Sequence, residues 1–274
     1  MKPNGLKNKT RENHKIDGLS PDANKLRGHS EIINVETLTK NIDLAWETTR
    51  TPAEFRSKLL AIFRTTLSEG SNFIQDRFLL NNDGAEAVLA QAYLMDSLIK
   101  AALETVDTKL YRAPNPTRGE QLCIIAVGGY GRGELAPFSD IDLLFLLPYK
   151  QTPRVEQVVE TILYLLWDMK LKVGHSTRSI DECMRQAKAD MTVRTAILES
   201  RYICGEISLM EQMIARFREE IIKGNTLEFV EAKLKESDDR HRQLGDSRYV
   251  IEPNIKDGKG GLRDLHKLFW IGKY

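Results

Sequence analysis

The sequence predicts an α+β fold: a helical N-terminal region, a small mixed sheet flanked by helices, and a C-terminal helical segment. Three observations carry that prediction. Apolar residues recur at three- and four-residue steps up to about Thr108, two short apolar runs flank a glycine-rich turn in the middle, and amphipathic stretches rich in Glu, Lys and Arg follow residue 207.

Residues 1–34 are rich in Lys, Asn, Gly and Pro and poor in large apolar side chains, so burial cannot repay their ordering entropy; a disordered basic tail is expected. Residues 35–112 are the helical region, with Phe55, Leu59, Leu60, Phe63 and Leu67 on one face. The break at Pro114–Gly119 opens a core over 113–206. Within it Leu122–Val127 and Asp140–Leu147 predict buried strands, Pro153 introduces a helix over Val155–Trp167, and Met169–Arg178 and Thr195–Cys204 predict two more strands. Residues 207–274 predict helices at Ser208–Ile222 and Thr226–Arg242, a glycine-bearing loop over Glu252–Asp264, and an apolar last helix, Leu262–Tyr274.

Composition narrows the function. The chain has 274 residues, and 40 Lys+Arg against 39 Asp+Glu leave a net charge of +1, which argues against a general polyanion binder, so no nucleic-acid partner is expected. No apolar run is long enough for a membrane span and no basic-then-apolar leader is seen, so a cytoplasmic location without membrane contact is expected. Cys123, Cys183 and Cys204 are odd in number and widely spaced, which fits neither a zinc motif nor a disulfide framework.

One string carries the chemistry: Gly128-Gly129-Tyr130-Gly131-Arg132-Gly133-Glu134-Leu135, then Pro137, then Ser139-Asp140-Ile141-Asp142-Leu143-Leu144. Side chains alternate along a strand, so Asp140 and Asp142 share a face while Ile141 and Leu143 pack into the sheet. Two carboxylates in one small volume repel unless a divalent cation joins them; Mg²⁺, which takes oxygen ligands and phosphate partners, suits them best, with Mn²⁺ as a substitute. The diglycine upstream lets backbone N–H groups approach a phosphate. Rossmann spacing fails because Glu134 stands where a third glycine is needed, and no GxxxxGK[ST] string occurs.

At these residues the sequence resembles nucleotidyltransferases of the DNA polymerase β type. The fuller string GGYGRGEL-x-P-x-SDIDLL is similar to one branch, the bacterial PII uridylyltransferase/uridylyl-removing enzymes. Further matching segments are Leu165–Asp168 with Val173–Arg178, Leu198–Arg201, Glu252–Lys256 and Gly260–Asp264. The resemblance makes 113–206 a nucleotidyltransferase core. It implies that UTP binds through Gly128, Gly129, Arg132 and Ser139, that Asp140 and Asp142 hold the metal, and that a tyrosyl hydroxyl of the nitrogen-regulatory protein PII accepts UMP as pyrophosphate leaves. Asp168 is taken as the third catalytic carboxylate, with Glu199 as the alternative, and His175 reads as a structural histidine rather than a phosphate ligand. An adenylyltransferase of the same superfamily and a non-catalytic fragment remain alternatives.

Members of that branch are longer, with an HD phosphohydrolase domain and two ACT-type sensor domains. None of His14, His29, His175, His241 and His266 is followed by Asp. The expectation is therefore a transferase portion, a fragment or truncated product, without uridylyl removal or glutamine sensing.

Overall fold

The computed structural model describes residues 29–115, 117–245, 252 and 254–274. Most of the expected N-terminal tail and part of the loop before residue 254 lie outside these.

The described chain starts earlier than the composition suggests. His29–Ile32 forms a short helix, α1, and Ile32 and Ile33 are buried, because these two side chains meet α3 and α4 across the helical layer. Residues 29–34, placed in the expected tail, are thus part of the helical layer. Three longer helices follow: α2 (Val35–Thr48), α3 (Pro52–Asn81) and α4 (Gly84–Thr105). Each has a side-chain cap at its start, from Asn34, Thr51 and Asp83 in turn, whose oxygens accept the third residue's N–H. α3 stops at Asn82, which takes the left-handed conformation at φ 55°. Phe55, Leu59 and Phe63 lie on its buried face, as their spacing requires.

Beyond these helices the chain enters the sheet: β1 (Cys123–Ala126), the one-turn helix α5 (Gly128–Gly131), β2 (Ile141–Leu147), α6 (Pro153–Asp168) and β3 (Val173–Ser179). Two helices, α7 (Ile180–Ala189) and α8 (Met191–Leu198), then lead into β4 (Arg201–Gly205). Strand order is β3-β2-β1-β4; β1 is antiparallel to both neighbours, and β2 and β3 are parallel, joined by the α6 crossover. It is a small mixed sheet, as expected.

Two expected strands differ from the structure. The third begins only at Val173, because Lys170 turns the chain at φ 66° after α6. The fourth begins at Arg201: residues 195–198 are helical, since Asp190 caps α8 by accepting the Thr192 N–H at 2.6 Å and Thr195 Oγ1 bonds back to the Met191 carbonyl at 2.8 Å. A short apolar run has no period of its own, so the cap decides its state.

The sheet has two covered faces. Ile124, Ala126, Leu143 and Phe145 pack against α4 and α6, while Cys123, Ile125, Leu144 and Leu146 pack under α7 and the helix α9 (Ile207–Phe217). Burial raises the Cys183 and Cys204 thiols to about 12 and pushes Cys123 higher still. After α9 come α10 (Thr226–Gln243) and α11 (Leu262–Lys273). Asp264, near the start of α11, joins them by accepting from Arg240 Nη2 at 2.7 Å and Gly260 N–H at 2.7 Å and facing His241 Nε2 at 3.1 Å. Burial opposes its charge, yet the Gly260 N–H, with His241, Lys267 and Ser237, holds its carboxyl below the ordinary value. Among the described residues no helix is long and apolar enough to cross a membrane.

Candidate active site

Asp142 sits near the start of β2, where the sheet face runs out from under its covering helices. Val127, which leads from β1 into α5, donates its N–H to the Asp142 carbonyl at 3.0 Å, so the glycine turn is tied to the carboxylate's own backbone. Gly128 takes φ 62°, and a Cβ there would stand 3.1 Å from Asp142 Oδ2. Gly174, the register partner of Asp142 on β3, leaves no room for a Cβ, which would strike Asp142 Oδ1. Glycines from two elements therefore clear both oxygens of one carboxylate. Asp140 lies two residues earlier and is exposed. Burial, and then the charge of Asp140, hold the Asp142 carboxyl above its usual range. Among the described residues such a pair has no ion-pair partner, and a hard divalent cation would supply one.

The carboxylate opens into a cleft of about 650 Å³. One wall is β3, with Ser176 and Arg178 on the same side as Gly174; the opposite wall comes from α10, α11 and the loop between them. The cations of that far wall are committed: Lys233 to Glu236 at 2.8 Å, Arg240 to Asp264 at 2.7 Å and Arg263 to Asp257 at 3.6 Å. The volume suits a nucleotide-sized ligand.

Behind the turn lies a second polar cluster. Tyr130 Oη donates to Asp96 Oδ1 at 2.6 Å, and Arg201 clamps the same carboxylate through Nη1 at 2.6 Å and Nη2 at 3.1 Å while also donating to the Tyr130 carbonyl. Burial drives the Tyr130 phenol well above its ordinary pKa. The Arg132 guanidinium pairs with Glu199 Oε1 and, at 3.1 Å, with Glu134. Glu199 Oε1 also accepts the Trp270 Nε1–H at 2.6 Å.

Residues 117–203 match the model of the nucleotidyltransferase domain, and residues 228–274 match that of GlnD PII-uridylyltransferase. A bifunctional uridylyltransferase/uridylyl-removing enzyme of Azospirillum brasilense is 57% identical over 221 residues, covering 81% of this chain and 24% of that protein. Proteins of the same description from Rhodospirillum rubrum and Rhodopseudomonas palustris are each 50% identical, over 91% and 84% of this chain and 27% and 25% of their own lengths. Over most of its own length this chain is similar to these uridylyltransferase/uridylyl-removing enzymes. It spans about a quarter of the length of the curated relatives it matches.

The expected site residues fall into two groups. Gly128, Gly129, Ser139, Asp140 and Asp142 gather around the turn and the start of β2. A Cβ at Gly129 would meet only ordinary contacts, at 3.6 Å from Arg132 and 3.7 Å from Glu134, so folding does not demand a glycine there. Ser139 is exposed beside Asp140. Arg132 is not brought to Asp142, because Glu199 and Glu134 hold its guanidinium. Asp168 is not brought there either: it ends α6 on a separate cleft beside Tyr111 and Leu60, and its carbonyl accepts from Arg64 at 2.6 Å. Glu199 does line the Asp142 cleft, but its Oε1 is shared by Arg132 and Trp270. Among the described residues no three His, Cys, Asp or Glu side chains gather as a metal site. His175 is exposed on β3, edge-on to Trp167 with ring centroids 5.7 Å apart.

Sequence reasoning missed Gly174 as a partner of Asp142, and the sharing of Glu199 between the turn and α11. The first needed the β2–β3 register; the second joins residues 71 positions apart. Phe138 was missed as well. Two residues before Asp140, it is 96% exposed and holds φ 65°, a backbone state unfavourable for an aromatic residue.

Proposed function

We propose that this chain transfers UMP from UTP to a tyrosyl hydroxyl of PII and releases pyrophosphate. One observation carries the reading: the Asp142 carboxylate, cleared on both oxygens by Gly128 and Gly174, is half-buried against the charge of Asp140, with no ion-pair partner among the described residues. Asp140 and Asp142 would hold Mg²⁺ or Mn²⁺, which supplies charge neutralisation at the phosphates and at the attacking oxygen. The backbone N–H groups of Gly128 and Gly129 bind phosphate, since the first amides of a helix have no acceptor within it. The cleft orients the nucleotide along β3. A bond forms between the phenolic oxygen and the α-phosphorus as the bond to the pyrophosphate oxygen breaks, a displacement that needs positioning and charge balance more than covalent help. Arg132 acts from behind the turn, by holding it.

Incubation of the chain with PII, Mg²⁺ and labelled UTP or ATP tests this. Label from UTP should appear on a PII tyrosine, and chelation should abolish it. Label from ATP alone would make the chain an adenylyltransferase, and label from neither, with nucleotide still bound, would leave a binding module. Uridylylated PII with Mn²⁺ and glutamine should release no UMP, because the Asp140/Asp142 site suits a triphosphate rather than a diester product.

A further inference from the structure

The one-turn helix α5 is too short to hold itself in place, so its contacts must set its position. Two of them converge on Glu199. The Gly131 Cα lies against the Glu199 carbonyl, so close that a Cβ would collide, and Arg132, the C-cap of α5, pairs with the Glu199 side chain. The same carboxylate oxygen receives the Trp270 indole N–H from α11, and Lys233 Nζ stands 4.9 Å over the Trp270 ring. Glu199 is only 4% exposed. A buried carboxylate depends on every donor it has, so loss of one leaves its charge underpaired and its position loose.

We infer that Glu199 is a positioning residue for the phosphate-binding turn, and that α11 reaches the turn through a relay of Trp270 Nε1–H, Glu199 Oε1 and the Arg132 guanidinium. The inference rests on the reading of Gly128–Gly129 as the nucleotide turn. Glu199 and Trp270 both line the Asp142 cleft, so the relay borders the space that a nucleotide would fill. The far end of α5 carries Gly128, whose backbone abuts Asp142 Oδ2. A shift of Glu199 therefore moves the amides that approach phosphate relative to the carboxylate that needs the metal. A buried pair serving stability alone would carry no such link.

Trp270→Phe separates the two roles, because it keeps the ring and its cation contact but removes the N–H. The relay predicts that the UTP requirement, as KM or as Kd with Mg²⁺, rises roughly tenfold, the scale of one charged hydrogen bond, while kcat stays within about twofold. Glu199→Gln should do the same, and the double variant should be no worse than Glu199→Gln alone. In ¹⁵N-labelled chain the Trp270 indole resonance, assigned by its loss in Trp270→Phe, should shift when UTP and Mg²⁺ are added. A Trp270→Phe chain with a lower Tm but unchanged UTP affinity, or an indole resonance that ignores nucleotide, overturns the relay. Should Trp270→Phe fail to fold, the wild-type titration decides, with the indole resonances assigned through Trp46→Phe and Trp167→Phe. If the Gly128 and Gly129 amides respond to UTP and the indole does not, only the relay fails; if neither responds, the reading of the turn fails and takes the relay with it.

Discussion

Asp96 and Asp142 lie on opposite faces of one sheet and are treated in opposite ways. Asp96 is sealed, and its two oxygens take three side-chain donors from Tyr130 and Arg201. Asp142 is half-buried, and the charge that acts on it is another carboxylate, Asp140. The first is a completed structure that locks α4 to β4 and to the glycine turn. The second is chemically incomplete, and incompleteness at a cleft marks a place where a ligand does the pairing.

The contrast can be broken most sharply by neutralising Asp142. Asp142→Asn should lower transfer by on the order of 10³-fold or more, about 4 kcal/mol of transition-state stabilisation, while Tm holds or rises. Steady-state kinetics beside a thermal melt check both halves, and a clear loss of Tm would mean that Asp142 is structural after all. At the other carboxylate the pattern should invert. Arg201→Ala removes the guanidinium and two of the three side-chain donors from buried Asp96 and should cost about 3–5 kcal/mol of stability, read as a shift in the denaturant midpoint.

Gly174→Ala sharpens the comparison from the side of space rather than charge. The new methyl group must displace Asp142 Oδ1, so transfer should fall by roughly tenfold or more, the penalty for misplacing a reacting group, with a smaller effect on the melt. Unchanged activity would show that the carboxylate has freedom the structure does not record. The smallest effect concerns pH. Because the Asp142 carboxyl is raised in the folded chain, the native state binds its proton more readily than the unfolded state between the ordinary carboxylate value of 3.8 and the raised one. The contribution of Asp142 to stability should therefore fall slightly as pH rises through that window, whereas transfer should rise with ionisation. The difference in stability between the wild-type chain and Asp142→Asn should carry that pH dependence.

Much of this contrast was legible in the residues themselves. The apolar run around Asp142 and the diglycine before it announce strand, turn and paired carboxylates through local periodicity alone. The helical faces through Phe55 and Leu59 were equally plain. What escaped was whatever depends on register or on distant partners. The three acidic residues beyond the pair, Glu134, Asp168 and Glu199, look alike in sequence; packing makes Glu199 and Glu134 the partners of Arg132, 67 and 2 positions away, and puts Asp168 on another cleft. The fourth strand was drawn too long because a cap at Asp190, not the Thr-Ala-Ile-Leu run, sets where helix ends and strand begins.

The raised thiols have a practical consequence. With Cys183 and Cys204 raised to about 12 and Cys123 beyond that, almost no thiolate exists at neutral pH, and thiolate is the species that alkylating dyes attack. The chain is therefore ready for single-point labelling without first removing its own cysteines. A Phe138→Cys variant would place the one reactive sulfur on the fully exposed shoulder beside Asp140, where a fluorophore could report an approaching acceptor in real time.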